Sequence, residues 1–143
     1  QRFDYTVLGD TVNLASRLEG QSGEYGFQII AGADTVKSLS DYEVFELDLL
    51  AVKGKTEPVT IYTVFEGAES DIDDAEAFRV AHQEFLKAYR TQDWDAAMQH
   101  IRTYQDDVPS FSQYYELFAA RIKSLQANPP GPEWTGVFVA LSK

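Results

Sequence analysis

The sequence predicts an α+β domain over residues 1–66, an acidic linker over residues 67–75 and a small all-α extension over residues 76–143. Three observations support this fold class. Residues 3–19 have the pattern of a short strand, a Gly-Asp turn and a helix, residues 42–65 alternate as a β-hairpin does, and the apolar residues of the extension recur with helical spacing. A chain of 143 residues is long enough for such a domain and its appendage to bury a core.

The elements before the hairpin follow from local patterns. The first helix begins near Asp10, and Asp10 or Thr11 can cap the free N–H groups of its first turn. An apolar, β-branched run at residues 27–31 predicts a strand, and residues 33–39 predict a small helix after it. The predicted order is therefore strand, helix, strand, helix and then the hairpin.

Residues 42–65 predict the hairpin. In the first strand, the alternation places Phe45, Leu47, Leu49 and Ala51 on one face and Glu46 and Asp48 on the other. Residues 53–58 read Lys-Gly-Lys-Thr-Glu-Pro, which is a turn sequence, and residues 59–65 form a second strand rich in Val, Ile, Thr and Tyr. The hairpin therefore has a basic, glycine-containing tip.

The composition changes after the hairpin. Residues 66–76 contain six acidic side chains and no basic one, and they lack the ligand pattern of a calcium loop, so they predict a solvated spacer. Three helices are expected beyond it, with breaks at Gln92-Asp93 and at residues 107–110. Their apolar stripes are Phe78, Ala81, Phe85 and Tyr89, then Trp94, Ala97, Met98 and Ile101, then Tyr115, Phe118, Ile122 and Leu125.

The helical extension resembles a degenerate helical hairpin of the tetratricopeptide kind around residues 89–97. One such hairpin does not make a solenoid, for which about three stacked repeats are normal. The sequence at residues 128–132 ends the last helix, and the apolar residues 134–141 are expected to dock back onto the body of the protein.

Composition and charge exclude several classes of function. The formal net charge of −11 leaves no basic stripe for a nucleic acid. The absence of cysteine excludes disulfides and thiolate metal sites and is typical of a reducing cytoplasm. No apolar run approaches the roughly 20 residues that cross a bilayer. Because the chain begins at Gln1 rather than Met, we expect a cytoplasmic piece of a longer protein, with any membrane attachment upstream.

Asn13 and Arg17 lie four residues apart on the first predicted helix, and therefore on the same face. An amide and a guanidinium side by side suit an anion, above all a phosphate. An exposed amphipathic helix also often carries Asn and Arg. The pair alone therefore leaves a solvated helix face open as the simpler interpretation.

The surrounding segment favours the functional interpretation. Residues 4–19 read DYTVLGDTVNLASRLE, which resembles the signature segment of class III nucleotidyl cyclases, the adenylate and guanylate cyclases. The resemblance continues in the order of elements up to residue 65. It implies that residues 1–66 are the C-terminal part of a ferredoxin-like cyclase catalytic domain, and that the parent protein converts ATP to 3′,5′-cyclic AMP and pyrophosphate.

The resemblance also assigns roles to individual residues. Residues at the positions of Asn13 and Arg17 stabilise the transition state in which the ribose 3′-hydroxyl attacks the α-phosphate. Thr6 stands where the family reads the purine, and threonine there implies adenine, whereas guanylate cyclases typically carry a small residue such as cysteine. Lys53 resembles the lysine that binds the triphosphate, with Lys55 as the alternative.

The family site is shared between two domains that meet head to tail, so the resemblance implies a homodimer. The two divalent metal ions, Mg²⁺ or Mn²⁺, are expected on aspartates upstream of Gln1, and this chain alone is expected to be inactive. Asp10 is interpreted as a helix cap rather than a metal ligand. His82 and His100 have no ligand spacing and are expected to have packing or surface roles.

Three alternatives stay open. The chain is compatible with an inactive cyclase-homology module that binds nucleotide or only dimerises, although the presence of both Asn13 and Arg17 favours an enzyme. It is also compatible with a guanylate cyclase. A third alternative is a scaffold whose helical extension binds partners. The extension resembles those of bacterial membrane-anchored cyclases.

Overall fold

The computed structural model describes residues 6–8, 25–27, 29–37, 39, 42–51, 56–65 and 72–139. These residues form two compact units. The sheet unit consists of the described residues up to 65 together with residues 137–139, and the helical unit consists of residues 72–136. The protein is therefore a mixed α and β chain, as the sequence predicts.

The sheet unit is built from five strands in its described part. They are β1 (Thr6–Leu8), β2 (Ile29–Gly32), β3 (Glu43–Ala51), β4 (Val59–Phe65) and β5 (Val137–Val139). In the sheet they have the order β1-β2-β4-β3-β5. β1 is parallel to β2, β4 is antiparallel to both β2 and β3, and β5 is parallel to β3. A short helix, α1 (Ala33–Val36), follows β2 directly.

These elements confirm the predicted hairpin of residues 42–65 and the predicted strand and small helix of residues 27–39. The helix predicted to begin near Asp10 lies outside the described residues. The core of the sheet unit is apolar, as the strand patterns indicate. Its buried apolar side chains are Tyr25, Phe27, Ile30, Ala31, Phe45, Leu47, Leu50, Ile61 and Val64.

One part of the predicted alternation is wrong, because β3 contains a bulge. The pairing with β4 shifts between Glu46 and Asp48. Up to the bulge the predicted faces hold, and Phe45 and Leu47 are buried. An extra residue reverses the faces of the strand after it. Asp48 is therefore 1% exposed rather than solvated.

The buried Asp48 carboxylate is held by two hydrogen bonds. The Tyr25 hydroxyl donates to its Oδ2 over 2.8 Å, and the Leu49 backbone N–H donates to its Oδ1 over 2.9 Å. A buried carboxylate needs such donors, because an unpartnered charge in the core is costly. The Asp48 side chain thus links β3 to the segment just before β2.

The helical unit contains α2 (Ala75–Arg90), α3 (Trp94–Tyr104), a 3₁₀ turn (Pro109–Phe111) and α4 (Ser112–Ala127). Asp74 caps α2 by accepting a hydrogen bond from the Ala77 N–H, and Asp93 caps α3 by accepting one from the Ala96 N–H. The predicted breaks at Gln92-Asp93 and at residues 107–110 are confirmed.

The last described residues confirm that the tail docks back onto the protein. Val137, Phe138 and Val139 pair with Leu49, Leu50 and Ala51 of β3. These three residues belong to the sheet unit, so the helical unit ends at Gly136.

Candidate functional site

Of the residues singled out by the sequence as substrate contacts, only Thr6 has a described backbone position. Thr6 is the first residue of β1, where it pairs with Ile29 of β2. The predicted candidates outside the described residues are Asp10, Asn13, Arg17, Lys53 and Lys55. The described strands nevertheless fix where the segments that carry these candidates leave the sheet.

β1 and β3 run in the same direction. β1 is parallel to β2, and two successive antiparallel pairings connect β2 through β4 to β3. Leu8 and Ala51, the last residues of β1 and β3, therefore point to the same end of the sheet. The sequence continues from Leu8 into the Gly-Asp turn and the predicted catalytic helix, and from Ala51 into the hairpin tip with Lys53.

The pairing register sets the relative levels of these strand ends. Leu8 is level with Ala31 on β2, Tyr62 on β4 and Glu46 on β3. β3 continues from Glu46 to Ala51, so the hairpin extends about 15 Å beyond the end of β1 at the usual rise of a strand. With β2 and β4 between them, β1 and β3 are about 14 Å apart across the sheet.

The strand that supports β1 is itself fixed by a side chain. Thr63 of β4 is 1% exposed, and its Oγ1 donates a hydrogen bond to the carbonyl oxygen of Ile29 over 3.0 Å. Ile29 is the residue that pairs with Thr6. Thr63 on β4 therefore holds Ile29 on β2, and Ile29 in turn pairs with Thr6 on β1.

The helical unit contains a polar network that the sequence did not predict. The Tyr115 hydroxyl lies 3.0 Å from His82 Nδ1 and 2.7 Å from His100 Nε2. A hydroxyl has one proton, so it donates to one imidazole and accepts from the other. His82 and Tyr115 are both 0% exposed. The packing role expected for His82 is therefore confirmed, and His100 shares its hydroxyl partner.

The helical spacing of these residues indicates that their side chains are buried together. His82 follows Phe78 by four residues on the buried stripe of α2, and Tyr115 precedes Phe118 by three on the stripe of α4. Their side chains therefore enter one aromatic cluster. The cluster comprises Phe78, His82, Phe85, His100, Phe111, Tyr114, Tyr115 and Phe118.

Burial sets the protonation states of the network. It lowers the pKa of His100 from 6.5 to about 4, since the charged imidazolium loses hydration. Burial, and secondarily the nearby Tyr104, raises the pKa of Tyr115 above its ordinary value. At pH 7 the His100 imidazole is therefore uncharged, and the Tyr115 hydroxyl keeps its proton.

The lowered pKa of His100 makes the stability of the helical unit depend on pH. Between about pH 6.5 and about pH 4 the unfolded chain binds a proton at this residue and the folded chain does not. We expect this contribution to be complete above pH 6.5 and to be lost as the pH falls to about 4. Urea titrations at several pH values should show a weaker acid loss in His100→Gln, and an identical loss would contradict the assignment.

Tyr115→Phe should lower the free energy of unfolding by about 1–3 kcal/mol, because it leaves two buried or half-buried imidazole nitrogens without their hydroxyl partner. Urea denaturation measures the change. Tyr104→Phe is the matched control, because Tyr104 is only half-buried, and it should change stability by about 0.5 kcal/mol or less. Equal stability of Tyr115→Phe and the unaltered chain would count against the network.

A groove of about 420 Å³ lies between α2 and α3. Its lining includes the small side chains of Ala81, Ala88 and Ala96 and the charged side chains of Glu84, Lys87 and Asp93. The lining of the groove therefore carries charges of both signs.

Two features are absent from the part of the chain that the structure describes. No three or more His, Asp or Glu side chains among the described residues come together in a way that could hold a metal ion. Within the same residues, each helix is too short or too polar to cross a membrane.

Three curated relatives of the chain are named adenylate cyclases. The adenylate cyclase of Anabaena cylindrica is 46% identical over 67 residues, which are 44% of this chain and 13% of that protein. Adenylate cyclase 1 of Rhizobium meliloti (strain 1021) is 40% identical over 65 residues, 45% of this chain and 10% of the relative. The terminal-differentiation specific adenylate cyclase of Dictyostelium discoideum is 39% identical over 74 residues, 49% of this chain and 4% of the relative.

The chain thus matches between 4% and 13% of the length of these relatives. No protein-family model matches the chain, and no solved structure matches it. Over nearly half of its length, therefore, the chain is similar to adenylate cyclases.

Proposed function

We propose that the protein that contains this chain is a class III adenylate cyclase, which converts ATP to 3′,5′-cyclic AMP and pyrophosphate. One observation carries the proposal: relatives that are 39–46% identical over 65–74 residues of this chain are named adenylate cyclases. The resemblance of residues 4–19 to the class III signature segment points to the same activity. In this proposal residues 1–66 are the C-terminal part of the catalytic domain, and residues 76–143 are an extension beyond the linker of residues 67–75.

The chemistry assigned to this chain is phosphoryl transfer within one nucleotide. The ribose 3′-oxygen attacks the α-phosphorus, the bond to the β-phosphate oxygen breaks, and pyrophosphate leaves. Charge develops on the phosphoryl oxygens in the transition state, and a guanidinium from Arg17 aimed at them lowers the barrier. Asn13 orients the ribose so that the attacking oxygen is in line with the leaving group.

Thr6 and Lys53 supply the ground-state contacts. The Thr6 hydroxyl either accepts a hydrogen bond from the adenine amino group or donates one to a ring nitrogen. Lys53, in the predicted turn of the hairpin, holds the triphosphate as a point charge. The common direction of β1 and β3 supports this division of roles between Thr6 and Lys53. The segments after Leu8 and after Ala51 leave the same end of the sheet.

The proposal includes a second chain and two divalent metal ions. We propose a homodimer in which this chain contributes the purine, ribose and phosphate contacts, and the metal ions bind to aspartates outside it. Aspartates outside this chain would hold the Mg²⁺ or Mn²⁺ ions, which would supply activation of the attacking hydroxyl and neutralisation of phosphate charge.

Product analysis with ATP or GTP tests the role of Thr6. The full-length protein with Mn²⁺ should form cyclic AMP from ATP and little cyclic GMP from GTP. Thr6→Val, which keeps the shape but removes the hydroxyl, should lower kcat/KM for ATP by roughly three- to tenfold, as expected for one hydrogen bond. Substantial cyclic GMP formation by the unaltered protein would refute the adenine assignment, and ATP binding without any cyclic product would favour an inactive module.

A further inference from the structure

The groove between α2 and α3 has the lining of a helix-packing surface. Ala81 and Ala88 of α2 and Ala96 of α3 contribute small side chains, and the buried Phe85 lies among them. Small side chains let a second helix approach closely, because the distance between packed helix axes falls to about 8 Å where the side chains in contact are small. A helix is therefore an occupant that this groove can accept.

Four exposed residues form a stripe along α2 and its C-terminal cap. Val80, Glu84, Lys87 and Thr91 follow one another at intervals of four, three and four residues, so they lie on one face of the helix. Val80 is 56% exposed, which is unusual for a large apolar side chain. Glu84, Lys87 and Thr91 also line the groove. The stripe therefore presents apolar groups at its two ends and opposite charges at its centre.

The two charges of the stripe are available to a partner. Neither Glu84 nor Lys87 forms an ion pair with a residue that the structure describes. On the same helix, by contrast, Arg79 pairs with Glu76 at 3.6 Å. The Thr91 hydroxyl donates a hydrogen bond to the Lys87 carbonyl oxygen over 2.8 Å, so its methyl group is what Thr91 can offer an apolar neighbour.

The stripe is complementary to a second copy of itself in the antiparallel direction. When a two-fold axis passes between Phe85 and Leu86, Glu84 lies opposite Lys87 of the partner subunit, and Val80 lies opposite Thr91 of the partner subunit. Because such an interface is isologous, each of these contacts occurs twice. One packing thus pairs both charges and covers the exposed Val80 side chain.

We propose that two copies of this chain form a homodimer in which their α2 stripes pack antiparallel over the α2–α3 grooves. A purely acidic or purely basic partner would pair with one charge of the stripe and be repelled by the other, whereas a second copy pairs with both. The central charges of the stripe cancel, although the whole chain has a net charge of −11. This contact does not depend on the proposed cyclase activity.

Exchange of the two charges tests the dimer. In Glu84→Lys two lysines of one copy face two lysines of the other, and in Lys87→Glu two glutamates face two glutamates. Each variant should weaken dimerisation of the 143-residue chain about ten- to thirtyfold, because symmetry turns two attractive pairs into repulsive ones. An equimolar mixture of the two variants should recover the affinity of the unaltered chain to within about threefold, since lysines then face glutamates. Sedimentation equilibrium measures these dissociation constants.

Glu116→Lys and Lys123→Glu are the matched controls. They change the net charge by the same amounts at exposed positions of α4 that do not line the groove. Each should change the dissociation constant less than about twofold.

An unaltered chain that stays monomeric at every concentration would overturn the proposal and favour a helix of another protein as the occupant of the groove. Dimerisation that the charge variants leave unchanged, or that their mixture does not restore, would also overturn it. Neither result bears on the formation of cyclic AMP from ATP, which tests the proposed function separately.

Discussion

Arg17→Ala should lower the turnover of ATP by about two to three orders of magnitude and leave the KM for ATP nearly unchanged. The reason is that the proposed guanidinium contact strengthens as charge develops on the transferring phosphoryl group. An interaction of that kind acts on kcat rather than on ground-state binding. Steady-state kinetics of cyclic AMP formation by the full-length protein measure both quantities.

Arg17→Lys is the matched control, because it keeps the positive charge but loses the planar fork of donors. Its kcat should be higher than that of Arg17→Ala and still well below that of the unaltered protein. If KM rose steeply in Arg17→Ala while kcat survived, Arg17 would bind the ground state and the proposed role would be incorrect.

Phe85→Ala should destabilise the helical unit by about 3–5 kcal/mol, the usual cost of emptying a large aromatic site in a core. Phe85 is 1% exposed. Its ring centroid lies 4.9 Å from that of His100, 5.3 Å from that of Tyr115 and 5.6 Å from that of Phe118. The substitution therefore removes contacts to both α3 and α4 at once.

Urea denaturation of the 143-residue chain measures this effect through tryptophan fluorescence, since both tryptophans, Trp94 and Trp134, lie in the helical unit. Val80→Ala in the same helix is the matched control, because Val80 is 56% exposed. It should change the free energy of unfolding by about 0.5 kcal/mol or less. A loss below about 1 kcal/mol in Phe85→Ala would mean that this cluster is not the core of the unit.

The helical unit shows which structural features the periodicity of the sequence can predict. Gln92 and Asp93 interrupt the pattern where α2 gives way to α3, and the structure places the break there, with Gln92 at φ 65°. Helical periodicity and capping residues are local properties, so they can be predicted from the sequence. The hydroxyl of Tyr115 between two imidazoles depends on how three helices pack, and no local pattern specifies that.

Prediction of the sheet from local sequence patterns has the same limit. Alternation predicted the two strands of the hairpin but not the bulge at Asp48, because one extra residue in the pairing leaves the sequence pattern looking regular. The apolar tail at residues 134–141 indicated docking but not its partner. The pairing of Val137 with Leu49 joins residues far apart in the chain, and it emerges only from the folded sheet.

The candidate site was predicted from a sequence motif rather than from physical pattern alone. For Asn13 and Arg17 as an isolated pair, a solvated helix face is the simpler interpretation. The structure contributes the direction of the strands that precede the two functional segments, and that direction follows from pairings among four strands. Thr6 thereby acquires a defined strand position opposite Ile29.

The stoichiometry of products tests the central claim most directly. The full-length protein, incubated with ATP and Mn²⁺, should release 3′,5′-cyclic AMP and pyrophosphate in equal molar amounts, because cyclisation at the α-phosphate expels the β- and γ-phosphates together. Formation of ADP and inorganic phosphate, or no conversion of ATP at all, would contradict the proposed cyclase activity.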